Sequence, residues 1–94
     1  MNKYLIVLTS EGEGSATVIE EQFPDHRYEL LPGKVWAVAV EDNKVTASDI
    51  CNQIGLGTGD NERVGVVIPF RGYYGYADAA LWQRFAVWDK HDPA

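Results

Sequence analysis

The chain has 94 residues, a length typical of one domain, and 46% of its residues are hydrophobic, which excludes a wholly disordered protein. Its acidic side chains outnumber the basic ones by 14 to 8, and the formal net charge of −6 disfavours non-specific binding to the phosphates of nucleic acids. The single cysteine, Cys51, excludes an internal disulfide and a cluster of metal-bound thiolates, and its apolar neighbours predict a buried, unreactive thiol.

The first predicted element is a strand at residues 4–8. Five consecutive apolar residues between polar ones are typical of a central strand that is covered on both faces. The run is too short for a membrane span or a signal peptide, so we expect a cytoplasmic protein without a membrane partner.

A helix is predicted after a glycine-containing loop at residues 9–14. Ser15 is a residue type that caps helices, and Ala16, Ile19 and Phe23 then recur with the spacing of one helix face. A hairpin follows, with strands at residues 26–31 and 34–41 joined by a Pro-Gly turn.

The second half of the chain predicts a helix, a strand and a last helix. Thr46 with Asp49 three residues later resembles a capping box, and Gly55 is a typical helix end. Residues 63–70 alternate as a strand whose proline belongs near the strand end or on a sheet edge. From Asp78 onward, a broad apolar helix face is formed by Leu81, Trp82, Phe85 and Trp88.

This order of elements predicts one α+β domain over residues 1–94, of the ferredoxin-like βαββαβ kind. The expected architecture is a four-stranded antiparallel sheet with two helices on one face, plus a C-terminal helix. The other face of the sheet must then meet water, a partner or the last helix. We predict that the three tryptophans, Trp36, Trp82 and Trp88, belong mainly to the core.

Five segments, read together, resemble one known family. They are the strands at residues 3–8, 34–40 and 63–70, the helix start at 46–50 and the stretch at 80–85. Across about residues 3–88 the chain resembles the Cas2-like family of small ferredoxin-like proteins, and within it the SinR-like branch. This resemblance implies a homodimer whose sheets pack or join across a two-fold axis.

For some members the resemblance also implies a metal-dependent nuclease with an aspartate near the end of the first strand. Leu8, Thr9 and Ser10 stand at that place here, and the nearest acids are Glu11 and Glu13. This departure argues against carrying the nuclease activity over.

Three groups of residues are candidate sites, and each is more simply explained as ordinary loop or surface structure. Three carboxylates could bind a hard cation: Glu11, Glu13 and Asp42. Their spacing does not match a known metal-binding motif. His26 has no nucleophile motif with it, and His91 lies in the polar tail. The glycine-rich residues 55–59 follow a helix, whereas phosphate-binding loops follow a strand. We therefore predict no catalytic residue, no metal and no cofactor.

The most distinctive segment is aromatic and follows the last strand. Its predicted partner-binding residues are Arg71, Tyr73, Tyr74 and Tyr76, because tyrosine and arginine are enriched at interface hot spots. Three interpretations stay open for this segment: packing within the chain, contact within a homodimer, and binding of a separate ligand or partner.

The predicted function is that of a non-catalytic, acidic, homodimeric protein-interaction module. The absence of a catalytic constellation disfavours an enzyme without deciding the question. The alternatives are a divergent Cas2-like metal-dependent nuclease and a small-ligand-binding regulatory module. The acidic balance of the chain makes a nucleic acid an unexpected partner and suits a protein partner.

Overall fold

A computed structural model describes residues 1–9, 15–41, 44–56, 64–73, 75 and 79–90. These residues form the seven elements that the sequence predicts, in the predicted order and with bounds that agree within about two residues. The elements are β1 (Asn2–Leu8), α1 (Ser15–Gln22), β2 (Arg27–Leu31), β3 (Val35–Val40), α2 (Ala47–Gln53), β4 (Gly65–Phe70) and α3 (Ala79–Lys90).

The four strands form one sheet in the order β2-β3-β1-β4, and each neighbouring pair is antiparallel. β1 and β3 are the two interior strands. In β1, Leu5 pairs with Ala37 of β3 on one side and with Ile68 of β4 on the other. β3 therefore lies between β1 and β2, and β1 lies between β3 and β4. The predicted α+β class with a four-stranded antiparallel sheet is confirmed.

The main core lies on the sheet face that α1 and α2 cover, here called the first face. Alternate residues of β1 and β3 point to this side, as the two-residue period of a strand requires. They pack beneath the apolar stripes of the two helices, in a cluster of Tyr4, Ile6, Leu8, Ile19, Phe23, Trp36, Val38, Ile50 and Ile54. Trp36 is fully buried there, so its predicted core position is confirmed.

Local signals in the sequence set the ends of the elements. α2 begins with the predicted capping box: the Asp49 N–H donates to Thr46 Oγ1 at 3.2 Å, and the Thr46 N–H donates to Asp49 Oδ2 at 2.9 Å. The turn between β2 and β3 contains Gly33 at a φ of 73°, which favours glycine.

α3 packs against the opposite side of the sheet, here called the second face. It buries a smaller cluster of Met1, Ala37, Ala39, Leu81, Phe85 and Trp88. The second face was expected to meet water, a partner or the last helix. The structure shows that the last helix covers one end of this face. Trp88 is buried as predicted, whereas Trp82 is only partly buried.

Among the residues that the structure describes, there is no helix with the length and apolarity needed to cross a membrane.

Candidate interaction surface

A buried lysine ties α3 to the second face of the sheet. Lys3 lies on β1 with its side chain only 4% exposed, and its ammonium forms an ion pair with Asp89 in the last turn of α3. The other carboxylate oxygen of Asp89 accepts a hydrogen bond from the Tyr73 hydroxyl at 2.6 Å. The Lys3 ammonium also lies 5.5 Å from the centre of the Tyr73 ring, within cation–π range. We call Lys3, Tyr73 and Asp89 the latch.

The latch shifts the pKa values of two of its members. Burial is the largest single influence on Asp89 and raises its pKa, but the hydrogen bonds from Lys3 and Tyr73 and the nearby positive charges together lower that pKa below its ordinary value. The hydrogen bond to Asp89, followed by burial and by the charge of Asp89, raises the pKa of Tyr73. On the first face, burial and then the charge of Asp49 raise the pKa of Tyr4, whose hydroxyl donates to the Val45 carbonyl.

The two raised tyrosine pKa values predict a loss of stability in alkali. A group whose pKa is raised by folding stabilises the protein fully below its unfolded pKa, and this stabilisation is lost as the pH rises through the folded pKa. We therefore expect the free energy of unfolding to decline above about pH 10. Urea titrations between pH 8 and 11 test this, and both Tyr4→Phe and Tyr73→Phe should make the decline shallower. If the free energy of unfolding declines equally in the wild type and in both variants, the alkaline loss of stability does not come from Tyr4 and Tyr73.

The aromatic segment after β4 packs on α3 where the structure describes it. The Tyr73 ring stacks on Trp82 with a centroid distance of 5.8 Å and an interplanar angle of 16°, and it meets Phe85 edge-on at 4.7 Å. Tyr73 therefore packs within the chain, although the residue as a whole stays 39% exposed. Arg71 is exposed, and Tyr74 and Tyr76 lie outside the described residues.

Beyond α3, the patch residues that the structure describes on the second face are aliphatic and uncharged. Pairing across the strands places Val7 beside Val35 and Val66, one row beyond Leu5 and Ile68. Val66 is 48% exposed and Ile68 is 47% exposed, although both belong to a strand. We call this surface the open patch; its residues are Leu5, Val7, Leu30, Val35, Val64, Val66 and Ile68.

The free edges of the sheet are poorly suited to strand addition. The Thr9 N–H donates to the Val64 carbonyl at 2.8 Å, so alternation along the antiparallel pair turns the backbone of Gly65, Val67 and Pro69 outward. Proline has no N–H, so the outer edge of β4 lacks a donor at that position. At the other edge, the pairing of β2 with β3 is irregular between Glu29 and Leu31. Contact through the open patch is therefore favoured over contact through an edge.

A groove lies beside the open patch, under the beginning of α3. It has a volume of about 390 Å³ and shares three residues with the patch, namely Leu5, Leu30 and Ile68. The other lining residues come from the end of β4, the aromatic segment and α3: Phe70, Gly72, Tyr73, Gly75, Leu81, Trp82 and Phe85.

The other candidates from the sequence do not gather into a site within the described part of the chain. Glu11, Glu13, Asp42, His91 and residues 57–59 lie outside it. Inside it, no group of three or more His, Cys, Asp and Glu residues is placed to hold a metal ion. His26 is partly buried and directly precedes β2. Cys51 is half-buried, whereas the sequence predicts a buried thiol.

The latch and the open patch were not predicted from the sequence. Lys3 shares the face of Leu5 and Val7 by the two-residue period, and a lysine in an apolar row is a signal that an acidic partner covers it. The sequence predicts an alternating strand that contains Val64, Val66 and Ile68, but it does not show which face of this strand α3 leaves open.

The fold and surface define the chain as a small α+β protein with a partly covered antiparallel sheet. No family model, curated protein or solved structure gives a significant match to it.

Proposed function

We propose that the protein is a non-catalytic, cytoplasmic interaction module that works as a homodimer, in which two copies meet through the open patch. The observation that carries this proposal is an uncharged aliphatic surface on a chain with a net charge of −6. Two copies of such a chain repel each other, and this repulsion is weakest where a surface without charges meets its own copy. Exposed apolar patches of this kind mark interaction sites in small proteins.

The geometry of a sheet limits the strength of such a dimer. The face is about 19 Å wide, because its four strands lie about 4.8 Å apart. It is about 13 Å long, because its rows extend from residue 5 to residue 9 at about 3.3 Å per residue. Two faces of this size cover about 500 Å² in flat projection, which is well below the roughly 1,200–2,000 Å² of stable specific interfaces. We therefore expect a dimer that forms reversibly at micromolar concentrations.

The finer fold assignment belongs to the same proposal. The strand order β2-β3-β1-β4 supports a ferredoxin-like split βαβ arrangement. The Cas2-like and SinR-like likeness rests on the element order and on the segments quoted above. Partner contacts of Arg71, Tyr73, Tyr74 and Tyr76 stay predictions. No described residue favours the nuclease alternative.

Sedimentation velocity from 1 to 200 µM tests the homodimer with a matched pair of variants. Val66→Asp places a charge in the open patch, and Val87→Asp places the same charge on α3 at a valine that is 50% exposed. We expect the wild type and Val87→Asp to approach twice the mass of 10.5 kDa as concentration rises, and Val66→Asp to remain monomeric.

Two results would contradict the proposal: a wild type that stays monomeric at 200 µM, or equal disruption by both aspartates. Since aspartate in a strand also weakens folding, Val66→Thr serves as a second variant of nearly the same shape. It should fold as the wild type does and should weaken the dimer by a smaller factor.

A further inference from the structure

The groove beside α3 has the size and lining of a small-molecule site. Its volume of about 390 Å³ falls within the range of about 300–1,000 Å³ that is usual for ligand sites. By volume it corresponds to about 13 water molecules, a space that a two- or three-ring compound fills. None of its ten described lining residues carries a charge, although the chain as a whole carries −6.

One wall of the groove is held in place before any ligand arrives. The Tyr73 hydroxyl is bound to Asp89, and the ring is fixed between Trp82 and Phe85. Because the latch binds this hydroxyl to a carboxylate that is not part of the lining, the groove presents the ring and not a charge. A preorganised aromatic wall lowers the entropy cost of binding a flat apolar molecule.

Gly72 lines the groove at a position that has room for a side chain. No atom lies within 4 Å of the place that its Cβ would occupy, and its φ is outside the left-handed region, so the backbone does not require glycine there. A larger side chain at this position adds bulk to the lining of the groove without a steric clash at its Cβ.

We propose that this groove binds a small, uncharged, ring-containing ligand against Tyr73 and Trp82. The proposal does not depend on the homodimer. The two surfaces share only Leu5, Leu30 and Ile68, and neither Val66 nor Gly72 belongs to both of them.

Titration with N-phenyl-1-naphthylamine, a neutral fluorescent probe, tests the proposal in the full chain. We expect saturable binding of one probe per chain, both in the wild type and in Val66→Asp, which separates this site from the dimer. Gly72→Leu adds a bulky side chain to the lining of the groove and should weaken binding at least about 10-fold. Ala86→Leu adds the same side chain at an exposed position of α3 outside the groove, and it should leave binding unchanged.

Probe binding that does not saturate, or equal binding by Gly72→Leu and Ala86→Leu, would overturn the proposal. If Gly72→Leu does not fold, as judged by circular dichroism, Ile68→Thr replaces it. This variant keeps a β-branched side chain in β4 but makes the lining polar, and it should weaken binding several-fold. Unchanged affinity in that variant would equally overturn the proposal.

Discussion

Replacing Asp89 with asparagine is expected to lower the free energy of unfolding by about 1–3 kcal/mol. The substitution removes the only described anion that contacts the ammonium of Lys3, whose side chain is 4% exposed. Breaking a fully buried ion pair costs about 3–5 kcal/mol because the remaining charge has no partner. The expected cost is smaller here because Asp89 is 40% exposed, which lets water reach this side of the pair.

A double-mutant cycle separates the ion pair from other effects of the substitution. Lys3→Met should cost less than Asp89→Asn, because Asp89 retains solvent and the hydrogen bond from Tyr73. In the Lys3→Met background, Asp89→Asn should then cost about 0.5–3 kcal/mol less than it does alone. Urea unfolding of the four proteins measures this, with the exposed Asp25→Asn as a control. If Asp89→Asn has the same cost in both backgrounds, the latch does not hold α3.

The same pair predicts the direction of the acid response. A carboxylate whose pKa is lowered by folding stabilises the protein above its unfolded pKa, and this stabilisation disappears as the pH falls through the folded pKa. For Asp89, with its lowered pKa, this window lies below about pH 4. The wild type should therefore lose more stability than Asp89→Asn between pH 5 and pH 2.

The local signals were sufficient to predict the elements, because each depends on neighbours in the sequence. The Thr46–Asp49 capping box needs only a three-residue spacing, and the alternation of Trp36 with Ala37 needs only the period of a strand. The same alternation predicts which residues of each strand lie on the same face of the sheet.

The candidate surfaces could not be predicted in this way, because they depend on where α3 packs. Lys3 and Asp89 are 86 residues apart, and no spacing rule joins them. The exposed state of Val66 follows from α3 covering the Lys3 end of the second face and leaving the Val7 row open. The sequence left three roles open for Tyr73. Its contacts with Trp82 and Asp89 show the first of them, packing within the chain, and the other two stay predictions.

The second large effect is expected at Gly65, at the start of β4. A Cβ added there would lie 2.5 Å from the Val7 carbonyl oxygen and 3.1 Å from the Leu8 Cα, and both of these are backbone atoms of β1. Relieving such a contact requires β4 to move away from its partner strand. We expect Gly65→Ala to lower the free energy of unfolding by about 1–3 kcal/mol, the usual cost of overpacking.

Propensity alone predicts the opposite sign for this substitution. Glycine within a strand is less favourable than alanine by about 0.5–1 kcal/mol, so an alanine without a clash would stabilise β4. Gly72→Ala is the matched control, because no atom lies within 4 Å of its added Cβ, and it should change stability by about 0.5 kcal/mol or less. Urea unfolding of both variants decides between the two effects. A Gly65→Ala protein as stable as Gly72→Ala would mean that β1 and β4 are not packed as closely as their register requires.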